Sequence, residues 1–325
     1  MKVSRLGVLG AMSAAAIIGL TACGAGDAGS DDVTEMTVAV DSFTIGTPVF
    51  VAEQEGYFEE ENLDVEAAIF QTGVEGVQAL TTGQVDFAFA MDFAAVSSVS
   101  DKLVILGAVS SPEPGFHKFY LATELDSPED LAGNAVGVLP GTAQAYSTQL
   151  WLEKYGVADD VEMVEFPGVY ELVGALRSGD IQGGFIFGAG LAEAENVENI
   201  AEVGDDSEVL ALQGMYLMST REYVENNAEA TTSLLTALGE AATFTAENVA
   251  EAAEITATET KGDAEAIEPS LAISSPGLRF LEGHRENLVR IQEFLIDIDR
   301  IPADTDVEAS LDLELMKKIE GAEVE

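Results

Sequence analysis

The chain has 325 residues, 59 of them Asp or Glu against 14 Lys or Arg, for a formal net charge of −45 at pH 7. Such a field repels nucleic acid and anionic lipid headgroups and excludes both as partners. Hydrophobic residues make up 47% of the chain in periodic blocks, which excludes intrinsic disorder, and one cysteine excludes an internal disulfide.

The chain opens with basic Lys2 and Arg5, followed by a run from Leu6 to Leu20 without a charge. That run is shorter than a membrane span and has the size of the apolar region of a secretory leader. It ends in Leu20-Thr21-Ala22-Cys23, which resembles the bacterial lipobox; the resemblance implies cleavage after residue 22 and diacylation of Cys23. Residues 1–22 are thus expected to be a signal peptide. Residues 23–35, small and acidic with no apolar pattern, are expected to be a flexible tether to the membrane. No later segment is long and apolar enough to span a bilayer.

Order is expected from Met36. Met36 to Asp41 reads as a strand; Thr47-Pro48 reads as the N-cap and first residue of a helix that stops at Gly56. A strand over Asp64–Phe70, a helix through Val74, Val77 and Leu80, and a strand over Val85–Met91 follow. Strand alternating with helix at this spacing predicts βαβ units and a parallel sheet. The block then recurs. Asp64-Val65-Glu66 returns as Asp160-Val161-Glu162, and ALTTGQV from Ala79 returns at the same offset as ALRSGDI from Ala175. The strand before the first helix has its counterpart in Ala135–Leu139. A period this long predicts two similar α/β lobes rather than a solenoid.

Loops at the C-terminal ends of parallel strands form the usual ligand crevices. The repeat pairs Asp41–Thr47 with Leu139–Thr142, and Met91-Asp92-Phe93 with Phe187-Gly188-Ala189, so the four loops are expected to line one cleft. Crossings between the lobes are expected within Val104–Ala122 and Ala211–Met218. Beyond Met218 the chain reads as helical scaffold. The stretch Leu278–Ile298 has helical spacing, with Leu281, Leu288, Ile291 and Leu295 as its buried stripe.

The segment Pro48 to Glu66 (PVFVAEQEGYFEEENLDVE) resembles the nitrate/sulfonate/taurine and thiamine-pyrimidine-precursor binding proteins. The same holds for ALTTGQVD from Ala79 and LAGNAVGV from Leu131. The resemblance implies a two-lobed periplasmic-binding-protein fold of type II, with lobe I formed by 36–118 and 217–325 and lobe II by 119–216. It implies a monomeric, extracytoplasmic, lipid-anchored component of an ABC importer that hands a small molecule to a membrane permease. Phe187-Gly188-Ala189 departs from the Trp-Asp-Pro often found there in the family.

Within the cleft loops, Gly141-Thr142-Ala143 opens a helix whose N–H groups could hold an oxyanion, or Thr142 could merely cap it. Thr44 and Thr47 occupy the matching first-lobe loop. Asp92 could receive a ligand amine or cap a helix. Phe43, Phe93 and Phe187 could stack on a planar ligand or belong to the core, and Gly188 sits beside Phe187. No Lys or Arg lies in these loops, Lys118 beside His117 being the nearest by sequence. A nitrate- or sulfonate-like solute would therefore depend on helix N-termini, and a planar heterocycle or an amine fits as well.

An enzyme of the pyrimidine-synthesising kind would need a base or a cofactor lysine in the cleft. The only histidines, His117 and His284, follow no catalytic motif. No catalytic residue, cofactor or transition-metal site is expected.

Overall fold

A computed structural model describes residues 33–41, 43–112, 115–140, 142–188, 190–210 and 212–325. The expected leader, the expected lipid site Cys23 and most of the expected tether lie outside the described residues. The first strand, β1 (Thr34–Asp41), begins inside the segment expected to be tether.

The alternating pattern of β1 buries Met36, Val38 and Val40 on one face. After the helix Thr47–Glu55, Gly56 takes φ 82° and its N–H returns to the carbonyls of Ala52 and Glu53, the left-handed stop that glycine permits. Then come β2 (Leu63–Phe70), the helix Gly73–Thr81, β3 (Phe87–Met91) and β4 (Leu103–Pro112). The middle of the chain supplies β5 (Lys118–Ala122), β6 (Ala135–Val138), β7 (Glu162–Glu165), β8 (Gly183–Ile186) and β9 (Ile200–Asp205). The remainder supplies β10 (Met215–Thr220), β11 (Ser274–Phe280) and β12 (Glu323–Val324).

These strands form two sheets, one ordered β12-β11-β4-β10-β3-β1-β2 and the other β7-β6-β8-β5-β9. The sequence repeat is visible in both. In each, a parallel trio (β2-β1-β3 and β7-β6-β8) is followed by a strand running the other way, β10 or β5. The expected parallel βαβ strands are present in both sheets, and each sheet is extended by strands running the other way into a mixed one. A strand that returns from the other sheet enters antiparallel, and hydrophobic pattern carries no strand direction.

The repeated helix ends have the same geometry. In the first, Gly83 donates to Leu80 O and Gln84 to Ala79 O; in the second, Gly179 donates to Leu176 O and Asp180 to Ala175 O. Both glycines have positive φ, 72° and 79°. The matching sequence blocks are thus matching helix stops.

The chain leaves the first sheet after Pro112 and enters the second at Lys118; it returns between Asp205 and Met215. The second sheet is backed by Phe119, Trp151 and Phe185, with Phe119 stacked on Trp151 at 5.0 Å. In the first, the helix Glu282–Asp297 buries Leu288, Ile291 and Leu295. Leu281 precedes that helix, and Leu278 belongs to β11, so the expected helical stretch is shorter and is preceded by a strand. Here the pull of an edge position beside β4 overrides a helical spacing.

Candidate functional site

A cavity of about 320 Å³ opens where the strand ends of both sheets meet. From the first sheet come Asp41, Phe43, Thr44, Thr47 and Met91; from the second come Thr142, Ala143, Gln144 and Phe187. Loops paired by the sequence repeat thus face a common space. Phe116 and His117, on the outgoing passage, complete one wall.

Asp41 ends β1, and its Oδ1 accepts hydrogen bonds from the N–H groups of Phe43 and Ile45, both at 2.9 Å. Burial pushes this carboxyl up to about 6, and the backbone donors at Phe43, Ile45 and Gly46 pull in the opposite direction. The carboxylate thereby folds the loop that presents Phe43 and Thr44. Phe43 reaches across to the second-sheet side: a β-carbon placed on Gly188 would stand 3.7 Å from Phe43 Cε1. Gly188 itself, at φ 54°, does not line the cavity.

The opposite wall is aromatic. The ring of His117 lies 4.9 Å from that of Phe187 and 5.0 Å from that of Phe116, both edge to face. His117 Nδ1 is held by Asp206 Oδ2 at 2.5 Å, and Asp206 Oδ1 accepts from Gly115 N at 2.8 Å. Behind the wall, buried Gln144 accepts from Leu139 N (2.8 Å) and donates to Gly137 O and Phe185 O (3.2 Å each), locking the helix Ala143–Lys154 against β6 and β8. Among the described residues no Lys or Arg lines the cavity. Lys118 is occupied by Asp205 (3.2 Å) and Glu202 (3.7 Å).

Phe43, Thr44, Thr47, Thr142, Ala143 and Phe187 of the expected site line this cavity. Gly141 lies outside the described residues. Thr142 stands at the N-cap of its helix, yet its hydroxyl donates to Leu139 O at 2.7 Å and accepts nothing from the helix. Thr47 is not the N-cap of the first helix, which is Gly46; its hydroxyl meets that of Thr256 at 2.9 Å.

Besides Gly188, two expected site residues lie outside the cavity. Asp92 is fully buried, accepting from Gly214 N (3.1 and 3.2 Å), Asn287 Nδ2 (3.0 Å) and Tyr216 OH (3.2 Å). Burial raises its carboxyl to about 7, and these donors offset part of the rise. The carboxylate has protein partners in place of a ligand amine, and it does not cap a helix. Phe93 is buried between Tyr146 and Phe294, each at 6.4 Å. Sequence reasoning passed over Phe116, Gln144 and the His117–Asp206 pair. A nearby signal existed for His117 alone, in its place beside Lys118.

Residues 44–252 match the model of the "NMT1/THI5 like" family. The chain belongs to that family. A Brucella abortus (strain 2308) protein, whose name gives it only a provisional binding role, is 29% identical over 213 residues, spanning 64% of this chain and 65% of that protein. The chain thus matches somewhat less than two thirds of the length of that relative.

In fold, the family member described here is similar to the periplasmic aliphatic sulphonate binding protein SsuA from Escherichia coli, with a TM-score of 0.73 at 16% identity over 85% of this chain and 91% of that one. It is also similar to the periplasmic nitrate-binding protein NrtA from Synechocystis PCC 6803, with a TM-score of 0.67 at 15% identity over 88% of each chain. The two-lobed periplasmic-binding-protein fold expected from the sequence is the fold of these neighbours.

Proposed function

We propose that this chain is the extracytoplasmic solute-binding component of an ABC importer, a monomer anchored through lipid on Cys23 that hands its ligand to a permease. The observation that carries the reading is the cavity of about 320 Å³ lined by corresponding loops of two sheets. Residues 113–117 and 206–214 are the two passages between those sheets, so a lobe built on each sheet can close on a ligand about them. The names of the fold neighbours, a sulphonate binder and a nitrate binder, point the same way.

The ligand is a small organic solute with an apolar body. Phe43, Phe116 and Phe187 supply flat contact area, and Thr44, Thr142 and the N–H groups of the helix beginning at Ala143 supply polar contacts. With no Lys or Arg in the lining among the described residues, a bare inorganic anion has less to hold it than an anion carrying an organic tail. The protein binds without turnover.

Calorimetry against alkanesulfonates, nitrate and aminopyrimidines, paired with small-angle scattering, tests the proposal. One class should bind, be recovered unchanged and compact the particle. Phe187→Ala should weaken that ligand by about 1–3 kcal/mol, the range for removal of an aromatic stacking surface. Conversion of the ligand, or binding with no effect of the Phe187 change, would replace this reading.

A further inference from the structure

A second cavity, of about 300 Å³, adjoins the first: Leu271, Ser274 and Pro276 line both. Its wall also takes in Ala246 and Val249, at the junction of two helices, Ala272, and Ser275 and Arg279 on β11. It is the environment of Arg279 that sets this cavity apart.

The chain carries 59 acidic residues against 14 basic ones, so a cation has abundant candidates for pairing. Among the described residues that are partly withdrawn from solvent, Lys118 pairs with Asp205, Arg285 with Glu308, and Arg221 donates to Ala309 O. Arg279 is likewise half-buried, yet among the described residues its guanidinium makes no hydrogen bond and no ion pair, and its Nε is buried without a partner. A guanidinium nitrogen shielded from water and left unpaired, as Nε is here, is costly unless an anion completes the group.

The backbone makes room for this arrangement. β11 shifts register against β4 between Pro276 and Arg279, and Gly277 there has φ 147°. A β-carbon at Gly277 would stand 3.0 Å from an Arg279 terminal nitrogen, so a side chain there would crowd the guanidinium. The guanidinium charge also acts on His284. Burial chiefly pushes that imidazole down to about 4, and Arg279 adds to the effect.

We propose that Arg279 is the anchor of an anion-binding subsite in this second cavity, taking a sulfonate, phosphate or carboxylate group by the planar fork of its guanidinium. A free anion at this subsite does not depend on what fills the larger cavity, whereas a larger molecule reaching both cavities rests on the binding function proposed above. The anion is either free in solution or the charged end of a molecule whose body lies beyond Leu271 and Pro276.

The test follows the arginine Nε–Hε signals of ¹⁵N-labelled full-length protein by NMR during titration with sodium sulfate, at ionic strength held constant with chloride. One signal, absent from the Arg279→Gln spectrum, should shift and saturate. Followed by the backbone amide signals of Gly277 and Leu278, which both variants keep, Arg279→Gln should weaken sulfate binding at least tenfold, while Arg279→Lys, which keeps the charge but not the fork, should fall between. Hexanesulfonate in a second titration separates the sources: at least tenfold tighter binding than sulfate assigns the site to the charged end of a larger molecule, and equal affinity assigns it to a free anion. Arginine signals that move together without saturation, or unchanged sulfate affinity in a folded Arg279→Gln protein, would overturn the proposal.

Discussion

His117 Nδ1 lies 2.5 Å from Asp206 Oδ2, and the two residues stand on the two separate passages that join the sheets. Asp206 also accepts from Gly115 N, and its own N–H donates to His117 O at 3.0 Å. A single buried carboxylate therefore ties one passage to the other. Taking one partner from a buried polar pair is strongly destabilising, so Asp206→Ala should lower the unfolding free energy by about 3 kcal/mol. Urea denaturation checks this, and a loss below about 1 kcal/mol would show the passages to be independently stable.

Two buried groups give stability opposite dependences on pH. Asp92 is raised by burial from 3.8 to about 7, so its contribution is complete below about pH 3.8 and is lost as pH rises through about 7. His284 is lowered by burial from 6.5 to about 4; its contribution is complete above about pH 6.5 and is lost as pH falls through about 4. Its neutral ring is fixed by two contacts: Leu281 N donates to Nδ1 at 3.0 Å, which leaves Nε2–H to donate to Ser111 Oγ at 2.9 Å. Removing Asp92 by Asn should make stability rise more steeply from pH 4.5 to 7 than in the wild type. Urea midpoints at the two pH values give the slope, and the surface acids common to both proteins cancel in the comparison. Parallel profiles would mean that Asp92 ionises as freely folded as unfolded.

How much of this was legible depended on reach along the chain. Pro48, Gly56 and the paired Gly83 and Gly179 mark helix boundaries through local backbone rules, and the sequence reveals them directly. The cavity loops were legible because the repeat aligned Phe43 with the start of the second helix and Met91 with Phe187. Asp92 misled because its deciding partner, Asn287, is 195 residues away. Thr47 looked like a cap for the same reason, its hydroxyl being met by Thr256. Leu278 followed a helical spacing and yet became a strand, because β4 offered an unpaired edge.

Gln144 is the structural key behind the cavity wall. Replacing it by Leu leaves Leu139 N, Gly137 O and Phe185 O without the partners they now have. With buried unsatisfied groups costing about 1–3 kcal/mol apiece, Gln144→Leu should destabilise by about 3 kcal/mol or more. Thermal unfolding of the variant should show a clear drop in midpoint; an unchanged midpoint would mean that water replaces the side chain.

Cys23→Ser should move the protein from the membrane fraction to the soluble one, since two acyl chains provide most of such an anchor's binding energy. Intact mass of the wild type should carry the lipid increment. A wild-type chain without that increment would remove the anchor from the proposal.

The order of the first sheet has a consequence for how the chain folds as it emerges. β10 lies between β3 and β4, although the whole of β5 to β9 separates it from them in sequence. A chain appearing N-terminus first therefore holds β3 and β4 apart with an open slot between them until residue 215 arrives. The strands of the second sheet are contiguous from Lys118 to Asp205 and can pair earlier. The half of the molecule that begins first is the half that closes last.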